Sequence, residues 1–225
     1  MKEVNIAYIR NDENIQLTIN FVKLVLSKPN SYLKISREIN GEKIKNIINN
    51  GQVVNCIFSS HFLPSENIKI IFKEFDIGSF YESIDFFVAD TYDDLKRLST
   101  EPYDKENSWK IKDILIKNCY IFENNRPKDL IWFFAKIFFD ILTEHKLING
   151  NKRVATMMLY KLCYNYGFFV NNSIGKSWRN NEDKIVGFIE HYQNTHLAEN
   201  VQNEIYKWVI DNLCIANNFH IEKDE

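Results

Sequence analysis

Apolar residues along the first third of the chain follow two different rhythms. Ile15, Leu17, Ile19, Val22, Leu24 and Val25 recur mostly at helical spacing and Pro29 ends the run, so Asn14 to Ser27 is predicted as a helix. Two shorter amphipathic pieces follow, Tyr32 to Ile39 and Lys43 to Ile48, set apart by Asn40-Gly41 and closed by Asn49-Asn50-Gly51. Then the period changes. Val53 to Phe58 and Ile68 to Phe75 are rich in β-branched and aromatic residues, and they predict a two-stranded hairpin joined across Leu63 to Asn67.

From Ile77 onward the pattern is helical throughout. Ser108 to Phe122 carries apolar residues at Trp109, Ile111, Ile114, Leu115 and Cys119, and Asp129 to Glu144 is apolar on nearly every side, as a central core helix must be. Asn151 to Tyr166 places Val154, Ala155, Met158, Leu159, Leu162, Cys163 and Tyr166 on one face, with Gly167 where a C′ cap belongs. Glu182 to Gln193 and Glu199 to Ile215 complete the set, with solvated charged faces. The expected architecture is mainly α: a helical core over residues 77–225, preceded by a small α+β region, winged-helix-like, over residues 1–76.

Composition narrows the classes of function. Lys plus Arg number 28 against 30 for Asp plus Glu, so the chain as a whole lacks the positive field that nonspecific nucleic-acid binding relies on. Lys34, Arg37, Lys43 and Lys45 fall on the second and third predicted helices, where a DNA reader carries its basic residues. Glu38 and Glu42 dilute them, which favours packing or target docking. Cys56, Cys119, Cys163 and Cys214 form neither a CxxC pair nor a zinc ribbon and read as buried thiols. The most apolar stretch, Leu130 to Leu142, is interrupted by Lys136 and Asp140 and is shorter than the roughly 20 residues needed to span a bilayer. The N-terminus has no uninterrupted apolar core of the secretion-signal type, so a soluble cytoplasmic protein without membrane contact is expected.

The segment that carries chemistry is His145-Lys146-Leu147-Ile148-Asn149-Gly150-Asn151-Lys152-Arg153, between the two most apolar helices of the core. It reads as a helix end, a polar loop and a new helix start. Gly150 frees the loop from side-chain hindrance, Asn151 can cap, and the amides of the next turn form an anion site that Lys152 and Arg153 strengthen. Phosphate is the natural occupant; a solvated interhelical turn with two basic residues is the structural alternative.

This segment resembles the signature of the Fic/Doc (Fido) family, HxFx[D/E]GN[G/K]R, and is most similar to the Doc branch, whose loop ends in NKR. His145, Gly150, Asn151, Lys152 and Arg153 match in place. At the level of residues the likeness covers about Asp129 to Gly167. The resemblance implies that His145 is the general base for a Ser, Thr or Tyr hydroxyl of a target protein, work suited to an imidazole with a reference pKa of about 6.5. It implies that Gly150, Asn151, Lys152 and Arg153 bind the phosphates of ATP or a related nucleotide. Adenylylating members usually have glycine at the place of Lys152, and often a second Arg where this chain has Thr156, so the resemblance favours phosphoryl over adenylyl transfer. It also implies a toxin paired with an antitoxin.

Two positions depart from the signature. Leu147 stands in place of Phe at a residue expected to anchor the loop in the core. Asn149 stands where the family carries Asp or Glu to hold Mg²⁺, and an amide oxygen is a weaker ligand for a hard cation. Asn149 therefore divides an active transferase from a Fido core that has lost turnover and serves as a regulatory or DNA- or protein-binding module. Thr195 to Asn200 fits the family's inhibitory string [S/T]xxxE[G/N], which would make Glu199 autoinhibitory; a helix cap is the other reading. His61, His191, His196 and His220 lack metal-ligand spacing, and Trp132, Phe133, Phe134, Phe138 and Phe139 read as core.

Overall fold

The computed structural model describes residues 2–8, 34–35, 54–60, 63–98, 104–125, 129–170 and 178–215. They fall into two compact units. One comprises residues 1–75 with 166–169 and 213–225, the other residues 76–165 and 170–212.

The first unit carries a four-stranded sheet of β1 (Lys2–Tyr8), β2 (Lys34–Ile35), β3 (Val54–Ser60) and β4 (Leu63–Glu74), in the order β1-β4-β3-β2. β3 and β4 pair antiparallel, with a register irregularity between Phe58 and Ser60, and they take in residues 54–58 and 68–74 of the two runs predicted as a hairpin. The strands extend further than the sequence suggested: Leu63 to Asn67, expected as the connection, already belong to β4. β1 was not anticipated. It pairs parallel to β4 from Lys2 opposite Ile68 to Tyr8 opposite Glu74. Its signal is the alternation of Val4, Ile6 and Tyr8 with Glu3, Asn5 and Ala7, a period of two. Within the predicted helix Tyr32 to Ile39, Lys34 and Ile35 instead pair with Ser59 and Phe58; pairing to a neighbouring strand overrides a short local helical rhythm. The helices expected at Asn14 to Ser27 and Lys43 to Ile48 lie outside the described residues. A short pair, β5 (Phe168–Val170) and β6 (Leu213–Ile215), forms a separate two-stranded sheet. Two stretches expected to be helical are therefore extended.

The second unit is helical: α1 (Ile77–Glu82), α2 (Ile84–Leu98), α3 (Ser108–Asn125), α4 (Leu130–Thr143), α5 (Asn151–Asn165), α6 (Trp178–Thr195) and α7 (Ala198–Asn212). α4 is its axis and packs against α3, α5, α6 and α7. Asp129 caps it, accepting from the Trp132 amide at 2.7 Å, and eleven of its residues are buried. Phe133 meets Phe122 and Phe80, Phe138 stacks on Trp208, and Phe139 meets Tyr192 edge-on. The aromatic series of α4 is core, as the pattern indicated. α5 buries Val154, Ala155, Met158, Leu159, Leu162 and Cys163 and is stapled to α2 by Lys161, whose ammonium bridges Asp90 and Asp94. Gly167, at φ 91°, takes the left-handed turn just past its end.

The two charges that interrupt the apolar run of α4 neutralise each other one turn apart. Lys136 Nζ lies 2.8 Å from Asp140 Oδ2, and Asn118 of α3 donates to the same oxygen at 2.9 Å. Asp140 is only 5% exposed, so its charge depends on these donors. Burial likewise pushes the Cys119 thiol up to about 12, and Cys163 is buried and free as well. No helix among the described residues is long and apolar enough to cross a membrane.

Chemical denaturation tests this core. Phe134→Ala should cost about 3–5 kcal/mol through lost burial and the cavity it leaves. Asp140→Ala should cost about 3 kcal/mol by leaving the largely buried Lys136, 17% exposed, without its partner, whereas the double change Lys136→Met, Asp140→Leu should recover most of that loss.

Candidate functional site

The loop from Glu144 to Gly150 joins α4 to α5. Glu144 closes α4, donating its amide to the Asp140 carbonyl at 2.9 Å. His145 comes next at φ 45°, the left-handed conformation that a residue just beyond a helix end adopts and that usually selects glycine. Its side chain is exposed. Leu147 then turns inward and is 4% exposed, so the aliphatic residue occupies the anchoring place where the resembling signature has Phe. Ile148 turns outward and is 87% exposed. Gly150, at φ 84°, makes the turn into α5 that a Cβ would disfavour.

Two sets of hydrogen bonds fix this path. Asn151 folds back over the loop: its Oδ1 accepts from the Leu147 amide at 3.1 Å and its Nδ2 donates to the Leu147 carbonyl at 2.8 Å. The side chain expected to cap the helix or bind phosphate is thus occupied in shaping the loop; its geometry imitates a strand partner. The second set comes from Asp104, ahead of α3, whose Oδ2 accepts from the Ile148 amide at 3.0 Å and whose own amide donates to the Asn149 carbonyl at 3.3 Å. Asn107 donates to both Asp104 oxygens, and Tyr92 donates its hydroxyl to the Asp104 carbonyl. The Ile148 amide, chiefly, holds the Asp104 carboxyl below its ordinary range; desolvation opposes it, and the bonds from Asn107 and the charge of Lys110 add to the lowering. Sequence reasoning missed Asp104, which lies 44 residues before Ile148; only its local turn, with Asn107 three residues on, is visible in the chain.

The helical ladder of α5 starts with the Val154 amide bonding the Gly150 carbonyl at 2.9 Å. The amides of Asn151 and Lys152 precede it at the positive end of the helix dipole. Arg153 is half-buried in that first turn. Lys152 turns its ammonium to Glu182 of α6 at 3.1 Å, with both side chains about two-fifths exposed. Such a pair is worth about 1 kcal/mol or less, so an incoming anion can displace it. At the other end of the loop, Glu144 is partly buried, which alone would raise its pKa; Lys117 at 2.6 Å and Lys146 at 3.5 Å outweigh this and hold it below the usual range.

Asn149 is exposed and offers a neutral amide. Asp104 is the carboxylate bonded to the loop backbone, but its oxygens already accept from Ile148 and Asn107. Among the described residues no group of three or more His, Cys, Asp or Glu could hold a metal. At the place where the resembling signature has a Mg²⁺-holding carboxylate, this loop offers only the Asn149 amide. Glu199 sits exposed in the first turn of α7, and the string that contains it runs off α6, through His196 at φ 54°, and onto α7 rather than along one helix. His191 pairs with Glu204 at 3.2 Å and His196 is exposed; His61 and His220 lie outside the described residues. No protein-family model, curated protein or solved structure matches the chain.

Because the Asp104 carboxyl is depressed, its bond to the loop is intact above the ordinary value of 3.8 and is lost only as pH falls through a lower one. The NMR shift of the Ile148 amide should therefore titrate with a midpoint below 3.8, and Asp104→Asn should abolish the step.

Proposed function

We propose that this chain is a Doc-like transferase of the Fido class, moving the γ-phosphoryl group of ATP or a related nucleotide to a Ser, Thr or Tyr hydroxyl of a target protein. One observation carries the reading. An exposed histidine on left-handed backbone is followed, across a loop pinned at Leu147, Ile148 and Asn149, by a glycine turn into a helix start bearing Lys152 and Arg153. A helix start of this kind attracts phosphate through its amides and dipole. His145 takes the proton of the target hydroxyl as that oxygen bonds the γ-phosphorus. The bond from phosphorus to the bridging oxygen breaks and the nucleoside diphosphate leaves. Lys152, released from Glu182, neutralises charge on the phosphates with Arg153. Asn151 acts by holding the loop in register. No step runs through a protein-bound metal. The biological setting that the resemblance suggests is a toxin restrained by an antitoxin partner.

A second reading, a Fido core without turnover that serves regulation or binds DNA or protein, draws support from Asn149 and from the engaged carboxylate of Asp104. Adenylyl transfer is the third.

Incubation of the protein with a bacterial lysate and ATP labelled at the α or γ position separates all three. Label from γ alone is expected, falling by about 10²–10⁴-fold in His145→Ala, the range of a lost general base. Label from α instead means adenylyl transfer. Absence of label from either position, even with Asn149→Asp, leaves the regulatory module.

A further inference from the structure

A cleft of about 260 Å³ runs along α3 beside the loop. Trp109 stands at one end and is 56% exposed, an unusual cost for the largest apolar side chain. Lys110, Lys117 and Lys146 line it with two carboxylates, Asp113 and Glu144. Glu144 is already shared between Lys117 and Lys146. Lys110 makes no salt bridge with a carboxylate of the described residues, although its charge reaches Asp104, and its ammonium lies 5.6 Å from the centre of the Trp109 ring. An exposed indole, an ammonium beside it and a lining of three lysines against two carboxylates favour one kind of guest. That guest carries an apolar or aromatic group for Trp109 and a carboxylate for Lys110 and Lys146.

The cleft and the proposed reacting group share the same stretch of chain. Glu144 and Lys146 both line the cleft and flank His145 in sequence. A segment lying against them therefore touches the two residues on either side of His145 in the chain. We propose that this cleft docks an acidic segment of a partner protein, seating an apolar side chain on Trp109 and a neighbouring Asp or Glu on Lys110 and Lys146. Identifying that partner as the acceptor of the transferred group rests on the function proposed above; the docking chemistry itself does not.

The test uses the full chain and two fluorescein-labelled twelve-residue peptides, each with a central Phe-Ser pair, one flanked by Glu and the other by Lys. Fluorescence polarisation should show the Glu peptide binding at least ~10-fold more tightly than the Lys peptide, with the preference shrinking as salt is added. Trp109→Ala, and separately the pair Lys110→Glu, Lys146→Glu, should each weaken Glu-peptide binding by about 10-fold or more, as loss of an aromatic or charged anchor does, with thermal midpoints unchanged. Equal binding of the two peptides, or variants that bind the Glu peptide like the parent, overturns the proposal. The same peptides incubated with γ-labelled ATP keep the two ideas apart. Selective binding without label sinks the transfer reading and leaves the docking intact, while label without charge preference does the reverse.

Discussion

The folding of Asn151 back onto Leu147 is the constraint on which the loop depends. A side-chain amide has the donor and acceptor of a peptide group, so Asn151 satisfies both backbone atoms of Leu147 at once. With Leu147 buried beneath, the chain is fixed at one point between the end of α4 and the start of α5. Asp104 fixes the next two residues from the other side. Little freedom then remains for the loop, and a site that must place groups to within a fraction of an ångström needs that rigidity.

This arrangement recasts what the matched residues do. Asn151 and Lys152 fall in place in the resembling signature, yet the first is occupied in holding the backbone and the second is tied to Glu182. A matching letter fixes a residue type and leaves its bond partner open. The partner depends on neighbours brought in by the tertiary fold.

What could be read from the chain follows the range of the interaction responsible. The helices of the second unit were legible because burial on one face imprints a local period: α4 and α5 begin and end within a residue or two of expectation, and Asp129 and Gly167 stand at their ends. β1 was missed although Val4, Ile6 and Tyr8 alternate, because its partner β4 lies some 60 residues on and a strand is not defined until it is paired. Residues 34–35 and 213–215 were expected to be helical for the same reason, their pairing with β3 and β5 being nonlocal. At the site, His145, Gly150 and the basic pair were visible as a motif, whereas Asp104 and the Trp109 cleft arise only when α3 is laid beside the loop.

The backbone of His145 has one further consequence. Left-handed conformation outside glycine destabilises a fold by about 1–2 kcal/mol. A mutant that exchanged this histidine for glycine would lose the imidazole and yet gain resistance to unfolding. Robustness alone would then favour the smaller residue, so the imidazole at this turn comes at a cost in stability.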